Sequence, residues 1–175
     1  MRTLHFIRCC KGATLIESMV LIAILSLLLH FALFEFKPIL AKNRLDNRVH
    51  EIKRALHFAR LKAQSSGSRV TFCALNNNRC EKKLWHKSLT VFVDRGNIGI
   101  FENSDTILLE LEAINSLDMF TYPRNSVTFG PSGIPMALNN GTFLYCPEYK
   151  KESLKGLSIT ISPIGRARVI DTDKC

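Results

Sequence analysis

The sequence lacks the short motifs that mark most catalytic and metal sites. It contains no HExxH, GxSxG, P-loop or GxGxxG pattern, and no two cysteines stand at CxxC spacing. Structural zinc sites take their ligands in such close pairs, and hydrolases and nucleotide-binding enzymes need the other patterns. His50 and His57 are seven residues apart, which is not a metalloprotease spacing. We therefore expect a protein that is not an enzyme and that needs no cofactor or metal.

Acidic residues are scarce relative to basic ones. The chain carries 24 Lys and Arg against 15 Asp and Glu, which gives a formal net charge of +9 at pH 7. A basic excess suits an anionic partner such as nucleic acid or a membrane surface. In the acid-containing loop at residues 94–105, Ile98 occupies a position where a calcium loop needs an oxygen ligand. A plain hairpin loop is therefore expected there.

Charge is almost absent from a long apolar run near the N-terminus. Glu17 is the only formal charge in residues 13–34, and a helix of that length spans about 33 Å, which matches the hydrocarbon core of a bilayer. Arg2, Arg8 and Lys11 precede the run with no acid among them, so this end is predicted to stay in the cytoplasm. A carboxylate inside a membrane is costly unless it has a partner. Glu17 therefore calls for a special role.

Two ordinary explanations of this run fit less well. A secretory signal has a shorter apolar region followed by a small-residue cleavage site, and residues 31–38 offer no such site. A simple single-pass anchor gives no reason for Glu17 to be present.

Residues Lys11–Ser18 resemble the class III signal of type IV pilins and type II secretion pseudopilins. That signal is a basic leader ending in Gly, followed by an apolar helix with Glu at its fifth position. The resemblance implies that a prepilin peptidase cleaves after Gly12 and that Ala13, where the family usually has Phe, becomes the N-methylated terminus. It also implies that Glu17 pairs with the free amine of a neighbouring pilin subunit.

The same resemblance implies a location. The chain would sit in inner-membrane lipid before assembly, as a single-pass protein with a periplasmic C-terminal domain, and would be extracellular in an assembled pilus. Cys9 and Cys10 would leave with the leader. Four cysteines then remain outside the cytoplasm, where disulfides are favoured: Cys73, Cys80, Cys146 and Cys175. Of the three possible pairings, we predict Cys73–Cys80 with Cys146–Cys175.

An apolar stripe extends the helical pattern beyond this run. Its members recur at steps of three and four: Leu45, Val49, Ile52, Leu56, Ala59 and Ala63. Pro38 removes one helical hydrogen bond and is expected to bend the helix. The spacing predicts one long helix over residues 13–64. We divide this region into a cleaved leader (1–12), a transmembrane and filament-core part (13–36) and an amphipathic part (37–66).

After residue 66 the apolar period changes to two, which is the period of a strand. Strands are predicted at residues 70–73, 85–93, 106–114, 127–129, 157–162 and 166–170. Asn140-Gly141 predicts a hairpin between residues 136–138 and 142–146. The chain is therefore expected to be α+β, with a β-rich globular domain over residues 67–175 packed on the long helix.

This second half resembles the FimT/GspH branch of minor pilins and pseudopilins. The matching stretches are Ala55–Ala63 with its Ala-Arg-x-x-Ala core, Val70–Cys73 with Cys80, Trp85–Asp94, Val127–Gly130 and Gly165–Arg168. The resemblance implies a type IV pilin fold, in which a long N-terminal helix packs against two antiparallel sheets.

Two arginines near the C-terminus are the candidate binding residues. Strand geometry points Arg166 and Arg168 to one face, about 6–7 Å apart along the strand, which is close to the spacing of phosphates in a nucleic-acid backbone. Arginine offers fixed bidentate donors to phosphate, and Gly165 lets the backbone turn tightly and approach a ligand. Four lysines nearby could assist: Lys150, Lys151, Lys155 and Lys174.

Composition alone favours a different interpretation, in which these arginines keep a strand face soluble with Asp171 and Asp173 as partners. The Gly-Arg-x-Arg stretch resembles that of FimT-like proteins linked to DNA uptake, and this resemblance favours DNA binding. We therefore expect a minor type IV pilin that binds double-stranded DNA nonspecifically through the phosphate backbone, for uptake in natural transformation. The alternative is a type II secretion pseudopilin or pilus-assembly subunit with no nucleic-acid role.

Overall fold

The computed structural model describes residues 14–136, 139–148 and 154–175, and for residues 31–35 it describes the backbone alone. The chain divides into two compact units, the first ending at Ile39 and the second running from Leu40 to Cys175. One helix, α1, spans Leu15–Ser66. All of the described strands lie in the second unit.

Local chemistry sets both ends of α1. At the start, the Thr14 hydroxyl oxygen accepts a hydrogen bond from the backbone N–H of Glu17 at 3.3 Å, as an N-cap residue does. At the end, Gly67 follows Ser66 with φ of +62°, the left-handed conformation in which many helices terminate. The predicted long helix is confirmed from residue 15 onward, with Pro38 inside it.

The part of α1 in the first unit is apolar and exposed. Every large apolar side chain described between residues 15 and 29 is exposed to solvent. Within the described part of the chain, no helix has both the length and the apolar character needed to cross a membrane. The predicted transmembrane segment, residues 13–36, includes residue 13 and the side chains of residues 31–35, which lie outside that part. Its assignment stays a prediction.

The predicted apolar stripe of α1 forms one side of the core of the second unit. Its residues are at most 2% exposed: Leu45, Val49, Ile52, Leu56, Ala59 and Ala63. Burial of a Leu, Ile or Val side chain stabilises a fold by about 1.5–3 kcal/mol. Packing of this stripe, rather than helix propensity, therefore fixes this half of α1 in place.

Ten strands follow α1 in the described residues. They are β1 Val70–Cys73, β2 Leu75–Asn76, β3 Arg79–Cys80, β4 Leu89–Val93, β5 Thr106–Leu111, β6 Met119–Thr121, β7 Val127–Phe129, β8 Gly141–Cys146, β9 Gly156–Ile161 and β10 Ala167–Thr172. The first sheet has the order β5-β4-β1-β7 and the second β10-β9-β8-β6, and every pair in both is antiparallel. The predicted α+β fold with two antiparallel sheets is confirmed.

An aromatic cluster fills the core. Trp85 and Phe143 have ring centroids 5.0 Å apart in an edge-to-face arrangement, and Phe72 lies 5.7 Å from Trp85. The indole N–H of Trp85 donates to the carbonyl oxygen of Arg124 at 2.8 Å, so the one polar atom of the buried ring is satisfied. The rings of Phe72 and Phe143 also contact each other. Because Phe72 lies in β1 and Phe143 in β8, this contact joins the two sheets.

Two strand predictions were too long. β4 begins at Leu89 rather than at residue 85, because Lys82–Leu84 form a 3₁₀ turn that leads Trp85 into the core outside any strand. β5 ends at Leu111 rather than at residue 114, and the N–H of Ile114 instead donates to the carbonyl of His86 at 2.9 Å.

The hairpin predicted from Asn140-Gly141 is wrong. β8 pairs with β9 on one side and, through its residues 144–146, with β6 on the other, so the strand partners that the start of the predicted hairpin needs are already taken. Met136 instead donates its N–H to the carbonyl of Thr128 at 2.8 Å, while residues 137–138 lie outside the described part. The missed strand β6, which is only three residues long, takes the place that the hairpin would have filled.

Both predicted disulfides are confirmed. Cys73 is bonded to Cys80, which closes the small β2–β3 hairpin, and Cys146 is bonded to Cys175. The second bond ties the end of β8 to the residues that follow β10. It therefore fixes the C-terminus against the second sheet.

A buried carboxylate connects the helix to the second sheet within the second unit. Asp118, whose side chain is 0% exposed, accepts hydrogen bonds from Arg44 Nε at 2.8 Å and Nη2 at 3.0 Å. It also accepts from the Tyr145 hydroxyl at 2.9 Å and from the N–H of Glu148 at 3.0 Å. Burial by itself would raise the pKa of Asp118, but these donors outweigh it and hold the pKa below its ordinary value.

Candidate nucleic-acid interface

The site begins at the turn between β9 and β10. Three residues, Pro163-Ile164-Gly165, reverse the chain, and the N–H of Gly165 donates to the carbonyl of Ser162 at 2.8 Å. The N–H of Ser162 donates across the turn to the carbonyl of Arg166 at 3.0 Å. Gly165 has φ of +79°, a left-handed conformation that glycine adopts without strain and that closes three-residue hairpin loops.

Gly165 also lies against another part of the chain. A Cβ at this position would stand 2.5 Å from the carbonyl oxygen of Gly133 and 3.3 Å from Nε of Arg60. The sequence predicted that Gly165 lets the backbone approach a ligand closely. In the structure the close approach is to the protein itself, where Arg60 and Gly133 occupy the space that a side chain would need.

The two arginines of the motif differ in their surroundings. Both are exposed, while Ala167 and Val169 between and after them pack against the core, which is the alternation expected of an edge strand. Arg166 stands just before β10 begins, at the turn, whereas Arg168 lies within the strand opposite Thr160 of β9.

Arg166 forms one wall of a groove of about 550 Å³ whose other wall is α1. The groove is lined by His50, Lys53, Arg54, His57, Phe58, Arg60, Leu61, Gly165, Arg166 and Ala167. Four of these residues carry a formal positive charge, and among the described residues no acid contributes to the lining. All of them belong to the second unit. The groove is therefore suited to an anion that has some apolar surface.

Helical spacing brings three basic residues of α1 together. Lys53, His57 and Arg60 stand at positions i, i+4 and i+7, so they share one helix face and extend over about 10 Å of its axis. Nε of Arg60 donates to the carbonyl of Gly133 at 3.0 Å, which fixes that guanidinium at the end of the groove near Gly165. Fixed cations cost less conformational entropy when a ligand binds.

The β9–β10 hairpin separates the candidate residues into two groups. Ile161 pairs with Ala167 next to the turn, and Gly156 pairs with Thr172 at the opposite end. Strand residues advance about 3.3 Å each, so the two ends of this hairpin lie roughly 17 Å apart. Lys155, just before β9, and residues 173–175, just after β10, are therefore far from the groove.

Lys155 and Lys174 belong to that far end. Nζ of Lys155 lies 3.0 Å from a carboxylate oxygen of Asp173, and this hydrogen bond raises the pKa of Lys155. Lys174 lines a separate cavity on the second sheet together with Lys82. The structure thus brings Gly165 and Arg166 together with α1, but it does not bring these two lysines to the same place.

The remaining predicted site residues lie elsewhere. Gly12, Ala13, Lys150 and Lys151 are outside the described residues. Glu17 is exposed in the first turn of α1. Within residues 14–136, 139–148 and 154–175, no cluster of three or more His, Cys, Asp or Glu residues could hold a metal ion.

The helical wall of the groove is the part of the site that the sequence does not reveal. Its polar members would ordinarily be interpreted as solvent-facing side chains beside the apolar stripe: His50, Lys53, Arg54, His57 and Arg60. The signal in the sequence is their spacing, because they recur every three or four residues and Glu51 is the only acid between residues 50 and 61. That pattern does not say which part of the C-terminal domain they meet.

The chain is similar to one known protein family in sequence and to solved pilin structures in fold. The sequence profile of the family described as type II transport protein GspH matches residues 48–165. No curated protein sequence matches. The type IV minor pilin FimU of Pseudomonas aeruginosa is similar with a TM-score of 0.59 and 20% identity, over 77% of this chain and 96% of that one. The minor pseudopilin EpsH from the type 2 secretion system of Vibrio cholerae is similar with a TM-score of 0.51 and 13% identity, over 75% and 99%. At these identities the likeness concerns the fold alone.

Proposed function

The chain belongs to the GspH family of type II transport proteins, and we propose that this minor pilin or pseudopilin binds double-stranded DNA without sequence preference, for uptake in natural transformation. The observation that carries the proposal is the groove between α1 and the β9–β10 turn, with four formal positive charges and no described acid in its lining. Nonspecific DNA binding depends on contacts of this kind between Lys or Arg and phosphate.

In this proposal the phosphates lie along the turn and the groove rim. Arg166 and Arg168 are exposed and free of described ion pairs, so their guanidinium groups are available for bidentate contacts with phosphate oxygens. Lys53 and Arg54 add charge from the opposite wall. Lys150 and Lys151, which precede β9 in the sequence and lie outside the described residues, assist these contacts. Lys155 and Lys174 contribute only to the long-range field, because they lie at the far end of the hairpin.

The first unit has a separate role in assembly. Its exposed apolar side chains between residues 15 and 29 contact inner-membrane lipid before assembly and neighbouring pilin subunits afterwards. Cleavage after Gly12 by a prepilin peptidase makes Ala13 the terminus, and the exposed Glu17 carboxylate then pairs with the free amine of a neighbouring subunit.

The test is a gel shift of the full-length chain in a nonionic detergent with mixed-sequence duplex DNA. Replacement of both arginines, Arg166→Gln with Arg168→Gln, should weaken binding and lower the slope of log K against log salt by about 0.9 for each phosphate that is no longer neutralised. A matched control, Lys83→Gln with Lys87→Gln, removes the same charge from exposed positions outside the groove lining. Equal binding by the wild type and the double arginine variant would show that the site is elsewhere.

The family match and the EpsH likeness favour a second candidate, a type II secretion pseudopilin that acts by packing alone. It predicts that a deletion strain loses protein secretion while its transformation frequency stays normal. Loss of transformation with normal secretion would instead favour the DNA-binding minor pilin.

A further inference from the structure

Two apolar side chains are exposed inside the basic groove. Phe58 is 40% exposed and Leu61 is 51% exposed, and they stand one turn apart on α1. They do not belong to the apolar stripe, because Leu56 and Ala59, which do, are almost fully buried. Contact with a phosphate backbone makes no use of an exposed phenyl ring. Charge alone therefore does not account for this lining.

The chemistry of this lining matches unpaired nucleotides. In a duplex the faces of the bases are stacked on one another, whereas a single strand offers each base face to a partner. Proteins that hold single strands combine a positively charged groove with aromatic rings on which bases stack. Building on the proposed DNA binding, we infer that the groove holds the unpaired bases of a single strand or a frayed duplex end, with a base stacked on Phe58.

The size of the groove agrees with this occupant. A volume of about 550 Å³ lies within the range of small-molecule sites, so a nucleotide can enter the groove, whereas a duplex can contact only its rim. Arg54 lies one turn before Phe58 on α1, Lys53 lines the same groove, and Arg166 faces them from the turn, so phosphates on either side of a stacked base meet a cation. Leu61 covers the edge of the stacked base one turn further along the helix.

A protein segment is the competing occupant, since apolar side chains also bind Phe58. Such a segment would have to carry acids to match the four cations of the lining. We favour nucleotides because a single strand repeats a phosphate and a base at regular intervals. One ligand then supplies both the negative charge for the cations and the flat surface for the aromatic ring. The experiment separates the two by including a measurement of self-association.

The experiment measures fluorescence anisotropy of the full-length chain in a nonionic detergent with three probes. These are a single-stranded oligothymidylate, an abasic strand of equal length that keeps the phosphates without bases, and a blunt duplex. The wild type should bind the thymidylate strand about fivefold to a hundredfold more tightly than the abasic strand. Phe58→Ala should abolish this preference and leave abasic binding unchanged, whereas Phe58→Tyr should keep it. Leu117→Ala, which changes an exposed apolar side chain outside the groove, should behave as the wild type.

Several outcomes would overturn the inference while leaving DNA binding intact. One is equal affinity of the wild type for the thymidylate and abasic strands, and another is a Phe58→Ala variant that keeps the preference. Loss of self-association in Phe58→Ala, measured by sedimentation, with unchanged binding of the single strand would assign the ring to a protein contact. If the wild type binds none of the three probes at low salt, the proposed function itself fails. The comparison of the thymidylate and abasic strands uses the wild type alone, so it tests the inference even if Phe58→Ala does not fold.

Discussion

Arg60 and Gly133 are 73 residues apart in the chain, and Nε of Arg60 donates a 3.0 Å hydrogen bond to the carbonyl oxygen of Gly133. That same oxygen lies 2.5 Å from the point where a Cβ of Gly165 would stand. Three segments, α1, the loop after β7 and the β9–β10 turn, therefore meet at one carbonyl. This meeting point sets the distance between the helical wall of the groove and Arg166.

Gly165→Ala is predicted to disturb this arrangement. The new methyl group would have to displace Gly133 or Arg60 while adopting φ of +79°, so both backbone strain and a clash oppose it. We expect the free energy of unfolding to fall by about 3 kcal/mol. DNA affinity should fall severalfold, since Arg166 would shift away from α1. Urea unfolding and the gel shift measure these two effects.

Gly67→Ala provides the matched control. Gly67 has nearly the same conformation, with φ of +62°, but nothing lies within 4 Å of its missing Cβ. Its substitution should cost only the intrinsic left-handed penalty, about 1 kcal/mol, and should leave DNA binding unchanged. Equal destabilisation by the two substitutions would mean that the close approach to Gly133 contributes nothing.

Most of the fold could be predicted from the sequence, because the periodic patterns of apolar residues agree with the observed helix and strands. The apolar stripe from Leu45 to Ala63 has a clear helical period, and all of it is buried. Asn77 and Asn78 both adopt positive φ in the turn that precedes Cys80, a conformation in which asparagine is enriched among non-glycine residues. The local pattern failed in two places. It missed β6, which is only three residues long, and it assigned a hairpin to Asn140-Gly141, where the chain makes a different connection.

The candidate site was predictable only on its C-terminal side. Gly165 and Arg166 carry a motif and a turn signal, so local sequence identifies them. The helical wall depends on tertiary packing, since α1 lies more than 100 residues earlier in the chain than β10. A cation on a helix face looks the same in sequence whether it meets solvent or a groove. Lys155 and Lys174 show the converse, because closeness in sequence to Arg166 did not place them beside it.

Asp118→Asn is predicted to be strongly destabilising. Asp118 accepts two hydrogen bonds from Arg44 and has a fully buried side chain, so an amide would present donors to a guanidinium and remove its counter-charge. We expect the free energy of unfolding to fall by about 3 kcal/mol in chemical denaturation. Asp173→Asn, which breaks the exposed pair with Lys155, should leave the unfolding midpoint unchanged.

The same carboxylate gives a dependence of stability on pH. The pKa of Asp118 is lower in the folded chain than in the unfolded chain, so the unfolded chain takes up the proton first as the pH falls. The stabilisation by Asp118 is therefore complete above about pH 4 and is lost as the pH falls further. In acid titrations the wild type should lose stability more steeply below about pH 4 than Asp118→Asn does. Parallel curves for the two proteins would contradict the assigned pKa direction.

The two disulfides should contribute unequally to stability. Cys146–Cys175 closes a loop with a sequence separation of 29, and Cys73–Cys80 closes one of 7. Loop-closure entropy predicts that Cys146→Ser with Cys175→Ser costs about 3.5 kcal/mol, and Cys73→Ser with Cys80→Ser about 2.5 kcal/mol. Thermal unfolding of both double variants under oxidising conditions compares them. A larger loss of stability in the Cys73 and Cys80 variant would mean that native packing near Cys80, and not the entropy of the unfolded chain, determines the effect.

The separation of the basic residues along the β9–β10 hairpin predicts which of them set the salt dependence of DNA binding. Lys53→Gln with Arg54→Gln removes two charges from the groove, and Lys155→Gln with Lys174→Gln removes two from the far end. Both variants have the same net charge, so long-range attraction falls equally in each. Only the groove variant should lower the slope of log K against log salt for duplex DNA, by about 0.9 for each phosphate left without its cation. A similar drop in slope for both variants would mean that phosphates bind the whole basic surface, and that Lys155 leaves Asp173 to take part.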